Sequence, residues 1–395
     1  MDALDRLPQE LWDAIVGALY GNRAALHTCT LIARPLSTSA TPLLYRKILI
    51  NFPTQDEWRS SRRIAQLKKL LRALKLFPHL LQHIRGVVVV SCPSHFAADI
   101  AAVGWAASTI RELSIGGMTD AEASLNAMKR LLSIPTLRIL RIDNLDVHFG
   151  YLPRLLLHCP PGLERFSFTH TKWNRDPWPG PLRKLEAGYA RPKIQSLVLG
   201  GCIQPIAATF ADANFLLDLS GVRVLRFNAD WVHPELFRVL EVCGDSVEDL
   251  RMSTIRASRP NALRLTPFTR LRALTLDSYT PFIADLLPTL ASSVSTTLRT
   301  ITISFLAFRH LQAIIDSLSE KRAPFVDMWA RLDEASERLA VLESVSIRAV
   351  VEAWRVQKDV LPEQAQEMRG VLEPVIRSCL WRLHARGALV FCMSD

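Results

Sequence analysis

A short stretch near the middle of the chain, Leu137-Arg138-Ile139-Leu140-Arg141-Ile142, carries the pattern that decides the fold. It reads apolar-x-x-apolar-x-apolar. Seven further clear copies start at Ile110, Leu163, Ile194, Val222, Val247, Leu271 and Leu298, and two weaker copies start at Ile84 and Leu342. The starts of the clear copies are separated by 24 to 31 residues. One match to so short a pattern carries no weight, but eight at near-constant spacing indicate a repeat protein.

Each copy ends a unit in which the elements follow the same order. A helix-like apolar stretch comes first, as at 125–132, then a turn, as at 159–162, and then the strand-like triplet. Alternating residues of a strand face one side, so the triplets predict short parallel strands in a sheet with helices outside. A period of about 20–29 residues is typical of leucine-rich repeats. We therefore predict an α/β fold with a leucine-rich-repeat-like solenoid, inner parallel sheet and outer helices, over residues 47–395.

The sequence predicts that both ends of the repeat array are capped and that one unit is interrupted. Residues 47–50 alternate and predict an opening strand. A charged segment at about 305–341 forms an irregular insertion. Residues at about 361–395 predict a C-terminal cap, in which Gly387 ends a helix and residues 388–392 form a last strand. Such elements cover the exposed ends of a solenoid.

Residues 1–46 lack the strand pattern and predict a separate small helical bundle. Leu11, Ile15 and Leu19 recur every four residues and predict one apolar stripe. Gly21-Asn22 breaks this first helix, and two further short helices follow. A bundle of this size has a small core, so we expect it to need a neighbour or a partner.

The residues of this bundle follow an order seen in one known family. They are Leu7-Pro8-x-Glu10-Leu11-Trp12-x-x-Ile15-Val16-x-x-Leu19, then Leu26-x-x-Cys29-x-Leu31-x-x-Arg34, then Leu43-Leu44-Tyr45. This order resembles an F-box, in particular the F-box-like segment that opens many fungal F-box proteins with variable repeat domains. The resemblance covers about the first 46 residues, whereas the repeat region resembles those proteins in style only.

The resemblance implies a substrate-recognition adaptor of a cullin-based, SCF-type ubiquitin ligase. The F-box would bind a Skp-type adaptor, and through it a cullin, while the repeat array would hold a protein substrate at raised effective concentration. The residues implied in adaptor contact are Leu7, Pro8, Leu11, Ile15, Leu19, Leu26 and Leu31. The sequence leaves open an alternative, a leucine-rich-repeat protein-binding scaffold without a ubiquitin-ligase link, in which residues 1–46 only cap the array.

Four arginines mark the face of the predicted sheet on which a substrate would bind. Arg141, Arg226 and Arg251 occupy the central outward position of their strands, and Arg165 flanks that row. Guanidinium groups match carboxylates and phosphates, so this face predicts recognition of an acidic or phosphorylated segment. The alternative is a solvated face on which the arginines pair with the flanking residues Asp143, Asp249 and Asp277.

No combination of residues in the sequence predicts catalysis. Gly244-Asp245-Ser246 is similar to a hydrolase nucleophile motif, but Ser246 precedes a strand triplet, where other units have turn residues. His79 and His83 are spaced for one metal ion, yet Leu80 stands where zinc proteases place a glutamate. We therefore expect a protein that is not an enzyme and holds no metal and no cofactor.

Composition bears on the compartment and on the remaining partners. The chain is 49% hydrophobic, with no apolar run of spanning length, no signal peptide and seven scattered cysteines, so we expect a cytoplasmic or nuclear protein without membrane contact. The formal net charge is +10. The longest basic cluster, residues 59–75, is interpreted as a solvated helix face, and nucleic-acid binding is the less favoured alternative.

Overall fold

The structure, a computed structural model, divides the chain into two compact units, residues 1–192 (unit 1) and 193–395 (unit 2). It describes residues 7–51, 61–90, 100–101, 108–117, 122–144, 151–171, 190–201, 216–231, 234–256, 268–278, 297–306, 324–339, 341–350 and 361–394.

Unit 1 starts with three helices and continues as a parallel sheet of five strands. The opening helices are α1 (Gln9–Ala18), α2 (Arg23–Ile32) and α3 (Arg34–Tyr45). The strands are β1 (Lys47–Asn51), β2 (Gly86–Val90), β3 (Glu112–Gly116), β4 (Ile139–Asp143) and β5 (Arg165–Thr171). Their connections carry α4 (Ser61–Leu76), a 3-10 helix (Pro78–His83), α5 (Glu122–Leu132) and α6 (Tyr151–Leu156). Each strand pairs in parallel with the next one along the chain.

Unit 2 repeats this arrangement with seven parallel strands, each again paired with its successor. The strands are β6 (Ser196–Gly201), β7 (Val224–Trp231), β8 (Asp249–Arg256), β9 (Ala273–Ser278), β10 (Thr300–Leu306), β11 (Ser344–Val350) and β12 (Leu389–Ser394). The helices in its described residues are α7 (Pro234–Cys243), α8 (Pro324–Arg338), α9 (Leu361–Cys379) and α10 (Trp381–Ala385).

Each strand from β2 to β11 begins two residues after the start of a copy of the repeated apolar pattern. The strand β4 begins at Ile139, two residues after the pattern starts at Leu137, and both weaker copies of the pattern also form strands. Leu137, Leu140 and Ile142 are all buried, so the first apolar residue fills the turn below the strand while the other two point into the core. The predicted α/β architecture, with parallel strands and connecting helices, is confirmed within each unit, as are the opening and closing strands.

A hydroxyl group joins successive repeats at four of the described turns. Thr136, directly before the pattern of β4, donates from Oγ1 to the carbonyl oxygens of Ile110 (2.6 Å) and Ser108 (3.0 Å) in the preceding repeat. The equivalent donors and acceptors are Thr109 to Ile84 at 2.7 Å, Ser246 to Val222 at 2.9 Å and Thr297 to Leu271 at 2.9 Å. Each acceptor is the first residue of the previous pattern, so this hydroxyl bridge gives the backbone carbonyl of that residue a hydrogen bond from the next repeat.

The opening helices form a small core of their own. Its buried side chains are Trp12, Val16, Leu26, Cys29, Leu36 and Ala40. At its edge Ser39 of α3 receives a hydrogen bond from Gln9 Nε2 (2.7 Å) and donates to Asp13 Oδ1 (2.6 Å). Gln9 Nε2 also donates to Asp13 Oδ1 (3.1 Å), and the hydrogen bonds that Asp13 accepts, from Ser39 first and then Gln9, lower the pKa of its carboxyl. The predicted domain boundary between residues 46 and 47 stays a prediction.

Within the predicted insertion the structure describes a helix, α8, that is joined by hydrogen bonds to the end of the chain. Its charged sequence suggests an exposed surface, yet Trp329 and Asp333 on one face are buried. The Asp333 carboxylate accepts hydrogen bonds from the backbone N–H groups of Leu383 (3.1 Å) and Arg382 (3.3 Å), at the start of α10. It thereby satisfies two of the N–H groups that a helix start leaves unpaired. Gly387 then adopts a φ of 68°, a conformation that favours glycine, between α10 and β12.

Candidate functional site

The residues implied in contact with a Skp-type adaptor separate into two groups. Leu11 and Ile15 are each 49% exposed and Leu31 is 75% exposed. The remaining exposed members are Leu7 and Pro8. Leu26, by contrast, is buried in the core of the bundle, and Leu19 packs half-buried against that core. Direct partner contact by Leu26 is therefore corrected to a core role, because its side chain is already enclosed by its own helices.

The exposed group follows from the geometry of α1. Successive residues of a helix turn by about 100°, so Leu11 and Ile15 form one stripe while Trp12 and Val16 form a second, neighbouring stripe. The structure turns the Trp12 stripe towards the core and leaves the Leu11 stripe in solvent. The sequence assigned Leu19 to the Leu11 stripe, but Leu19 packs against the core instead.

Exposed apolar side chains of α2 lie at the same end of the bundle as the start of α1. Gln9 Nε2 also donates to the carbonyl oxygen of Pro35 at 3.5 Å, which brings the start of α1 to the junction of α2 and α3. Leu7 is close to this contact on one side, and Leu31 and Ile32 precede it on the other. We define Leu7, Leu11, Ile15, Leu31 and Ile32 as the bundle apolar surface. Exposed apolar side chains on a folded protein are candidates for contact with a partner.

The predicted arginine face is divided between the units, with Arg141 and Arg165 in unit 1 and Arg226 and Arg251 in unit 2. In unit 1, Arg141 Nη1 lies 2.8 Å from Glu112 Oε1, and the same oxygen lies 3.1 Å from Lys47 Nζ. A pair of cations thus shares one carboxylate. The sequence alternative in which these arginines pair with aspartates identifies the wrong partner for Arg141, because Glu112 on β3 occupies that position.

In unit 2 the two predicted arginines are direct neighbours. The strand register places Arg226 opposite Arg251. Arg251 is neutralised by Asp277, whose Oδ2 lies 2.6 Å from Nη2 and also accepts a hydrogen bond from Ser253 Oγ at 3.0 Å. Arg226 is exposed and has no ion pair within the described segments. Asp277 compensates the charge of Arg251, so the neighbouring guanidinium of Arg226 is the group of this pair that can receive an anion.

The residues that resembled catalytic or metal-binding motifs have structural contacts. Ser246 uses its hydroxyl in the bridge to Val222, and that hydroxyl also lies 3.0 Å from the carbonyl oxygen of Cys243. His83 is half-buried, and burial, followed by the charges of His79 and Arg85, lowers its pKa. In the described ranges no group of three or more His, Cys, Asp or Glu could hold a metal ion.

The described cysteines are free thiols, namely Cys29, Cys159, Cys243, Cys379 and Cys392. Burial raises the pKa of the Cys159 and Cys243 thiols to about 12. Such buried thiols stay protonated and are poor nucleophiles. None of the helices that the structure describes combines the length and the apolar character needed to cross a bilayer.

Comparison with known proteins assigns the chain to no family. The chain matches no protein-family model, and it matches no curated protein. The bundle apolar surface and the arginine pair of unit 2 are therefore the features on which a functional proposal can rest.

Proposed function

We propose that this protein is a substrate-recognition adaptor of a cullin-based ubiquitin ligase, in which the opening helices bind a Skp-type adaptor. The observation that supports the proposal is the bundle apolar surface. Leu11 and Ile15 remain half-exposed although the core closes around Trp12 and Val16 without them. The F-box resemblance of residues 7–45 gives this surface its proposed partner.

The expected contribution of the surface can be estimated from its exposure. Full burial of a leucine or isoleucine side chain contributes about 1.5–3 kcal/mol, so burying the exposed halves of Leu11 and Ile15 contributes roughly 1 kcal/mol each. Losing both contributions would weaken binding about 30-fold. Neither residue belongs to the core of the bundle, so the loss should appear in binding and not in folding.

The test is a binding measurement between the full chain and a purified Skp-type adaptor. We expect the wild type to bind, and Leu11→Ser with Ile15→Ser to weaken binding about 30-fold at unchanged helix content. The matched control is Leu157→Ser with Val242→Ser, which removes two similarly exposed apolar side chains, 43% and 46%, outside the bundle. Absence of binding by the wild type, or equal affinity of the two double variants, would refute the proposal.

The substrate is proposed to bind on the sheet, with its acidic or phosphorylated side chains at Arg226 and Arg251. Arg226 lacks an ion pair among the described residues, whereas Arg141 is already paired with Glu112. Arg226→Glu should therefore abolish substrate capture, and Arg141→Glu should reduce it less. Affinity purification from cells with the proteasome inhibited would show this as loss of the same co-purified proteins. Unchanged capture by the Arg141→Glu/Arg226→Glu double variant would contradict this part of the proposal.

The alternative function, a repeat scaffold without a ligase link, is favoured by one observation. The helix α3 leads directly into β1, and the carbonyl oxygen of Arg46 accepts hydrogen bonds from the N–H groups of Arg85 (2.8 Å) and Gly86 (2.9 Å). The bundle is thus attached to the first turn of the sheet, as a cap would be. Deletion of residues 1–46 discriminates the two functions: a cap predicts loss of folding, whereas an adaptor-binding module predicts a folded array that no longer binds the Skp-type adaptor.

A further inference from the structure

The positive charge of the chain is concentrated in one part of unit 1. Between residues 59 and 111 the sequence has nine lysines and arginines and a single acidic residue, Asp99. This segment therefore has a net charge of +8, out of +10 for the whole chain. The helix α4 carries most of this excess and contains no acidic residue.

The cations of α4 share one exposed face. Lys68, Arg72 and Lys75 follow each other at intervals of four and three residues, which places them about one turn apart along one side. Lys69 is exposed beside them. On an adjoining side of the helix Leu71 and Leu74 are buried and pack the helix onto unit 1. We define Lys68, Lys69, Arg72 and Lys75 as the α4 basic stripe.

Three cations of the stripe lack the counterions that other cations of unit 1 have. Lys47 and Arg141 share the carboxylate of Glu112, whereas Lys68, Lys69 and Arg72 have no ion pair with any residue that the structure describes. Like charges three and four residues apart destabilise a helix, so α4 is less stable with this sequence than with alternating charges. A bound anionic partner would remove that repulsion.

An exposed apolar pair lies at the C-terminal end of the stripe. Leu76 is 63% exposed and Phe77 is 50% exposed, directly after Lys75. A nucleic acid could stack a base on Phe77 but offers no aliphatic side chain to Leu76. A lipid surface would bind a basic amphipathic helix through its apolar face, but Leu71 and Leu74 on that face are already buried. Charge and apolar character together fit a protein segment that carries both carboxylates and apolar side chains.

We propose that the α4 basic stripe, with Leu76 and Phe77, binds an acidic amphipathic helix of another protein. Carboxylates spaced one turn apart on that helix match the one-turn spacing of Lys68, Arg72 and Lys75. An apolar residue beyond them covers Leu76 and Phe77. This docking surface is independent of adaptor binding by the opening helices and of the arginines on the sheet.

The test uses the full chain and a fluorescein-labelled peptide of about five helical turns, with glutamate and leucine at helical spacing. A peptide with glutamine in place of each glutamate is the uncharged comparison. The binding variant is Lys68→Gln/Lys69→Gln/Arg72→Gln, because glutamine keeps the helix propensity of the cations. The matched control, Arg238→Gln/Arg270→Gln/Arg331→Gln, removes three exposed cations from unit 2 and lowers the net charge equally. Circular dichroism checks that both variants fold.

The α4 variant should bind the acidic peptide at least about tenfold more weakly than wild type, while the control stays within about twofold. Wild-type affinity should also fall steeply between about 50 and 300 mM NaCl, which needs no variant to fold. Leu76→Ser/Phe77→Ser should weaken binding at unchanged salt dependence. The proposal would be overturned if the glutamine peptide bound with equal affinity or if both triple variants lost equal affinity. It would also be overturned if oligouridine RNA or phosphatidylserine vesicles bound more tightly than the acidic peptide.

Discussion

Thr136→Val tests whether the hydroxyl bridge stabilises the stack of repeats. The Oγ1 of Thr136 reaches the carbonyl oxygens of Ile110 and Ser108 at 2.6 Å and 3.0 Å, and Ile110 is fully buried. Valine has the same shape, so the substitution removes the donor and opens no cavity. A buried acceptor that loses its partner costs about 1–3 kcal/mol, and the second acceptor is more exposed, so we expect a loss of about 1.5 kcal/mol.

Urea unfolding followed by far-ultraviolet circular dichroism measures this loss. The midpoint should fall while the slope of the transition stays unchanged, because the surface exposed on unfolding is the same. Thr136→Ser keeps the hydroxyl and is the matched control, so it should retain most of the stability. Ser246→Ala repeats the test at the equivalent bridge of unit 2. The reasoning would be refuted if the free energy of unfolding of Thr136→Val stayed within about 0.3 kcal/mol of wild type. Equal losses of unfolding free energy in Thr136→Val and Thr136→Ser would refute it as well.

Three further predictions follow from single side chains. Asp333→Ala should destabilise unit 2 by about 1–3 kcal/mol, seen as a lower melting temperature, because two N–H groups at the start of α10 lose their acceptor; an unchanged melting temperature would contradict this. Cys159 should resist alkylation at pH 8 until denaturant is added, since burial raises its pKa to about 12; rapid native labelling, read by mass spectrometry, would disprove it. The pKa of the Asp13 carboxyl is lowered in the folded protein, so its contribution to bundle stability should be present above its ordinary pKa of 3.8 and be lost as the pH falls through the folded value. Ser39→Ala should raise the folded pKa of Asp13 in an NMR titration, because Ser39 is the main cause of the lowering. An unchanged pKa in this variant would contradict that cause.

The strands could be predicted from the sequence because a period-two pattern has only one buried face. Leu140 and Ile142 must point the same way in a strand, and eight copies of that relation determine the repeat. The offset of two residues was not predictable from the pattern, since Leu137 also reads as part of a strand and instead fills the turn. The hydroxyl bridges were also missed, although a threonine or serine directly before the pattern was a visible signal.

The opening helices show where sequence patterns become ambiguous. Two apolar pairs of α1, Leu11 with Ile15 and Trp12 with Val16, have the same four-residue spacing. Only packing against α3 decides which pair is enclosed, and the Gln9 and Asp13 bonds to Ser39 orient α1 so that Trp12 points inward. The sequence therefore predicted which apolar residues the helices carry, but not which of them are enclosed in the core and which are exposed to solvent.

The counterions of the arginine face depended on strand register. Asp143 is close to Arg141 in sequence, but the β3–β4 pairing brings Glu112 within 2.8 Å of it. A register shift of one residue would have changed that partner, and no local pattern specifies it. The same register places Arg226 opposite Arg251 in unit 2, a pairing that the separate repeats did not reveal.

The proposed adaptor role is tested most directly by hydrogen–deuterium exchange of the full chain with and without a purified Skp-type adaptor. We expect slower exchange confined to α1 and to the α2–α3 junction, the segments that carry the bundle apolar surface, with the sheets unchanged. Protection on the strands alone, or no protection at an adaptor concentration of about 50 µM, well above that needed to detect micromolar binding, would contradict it.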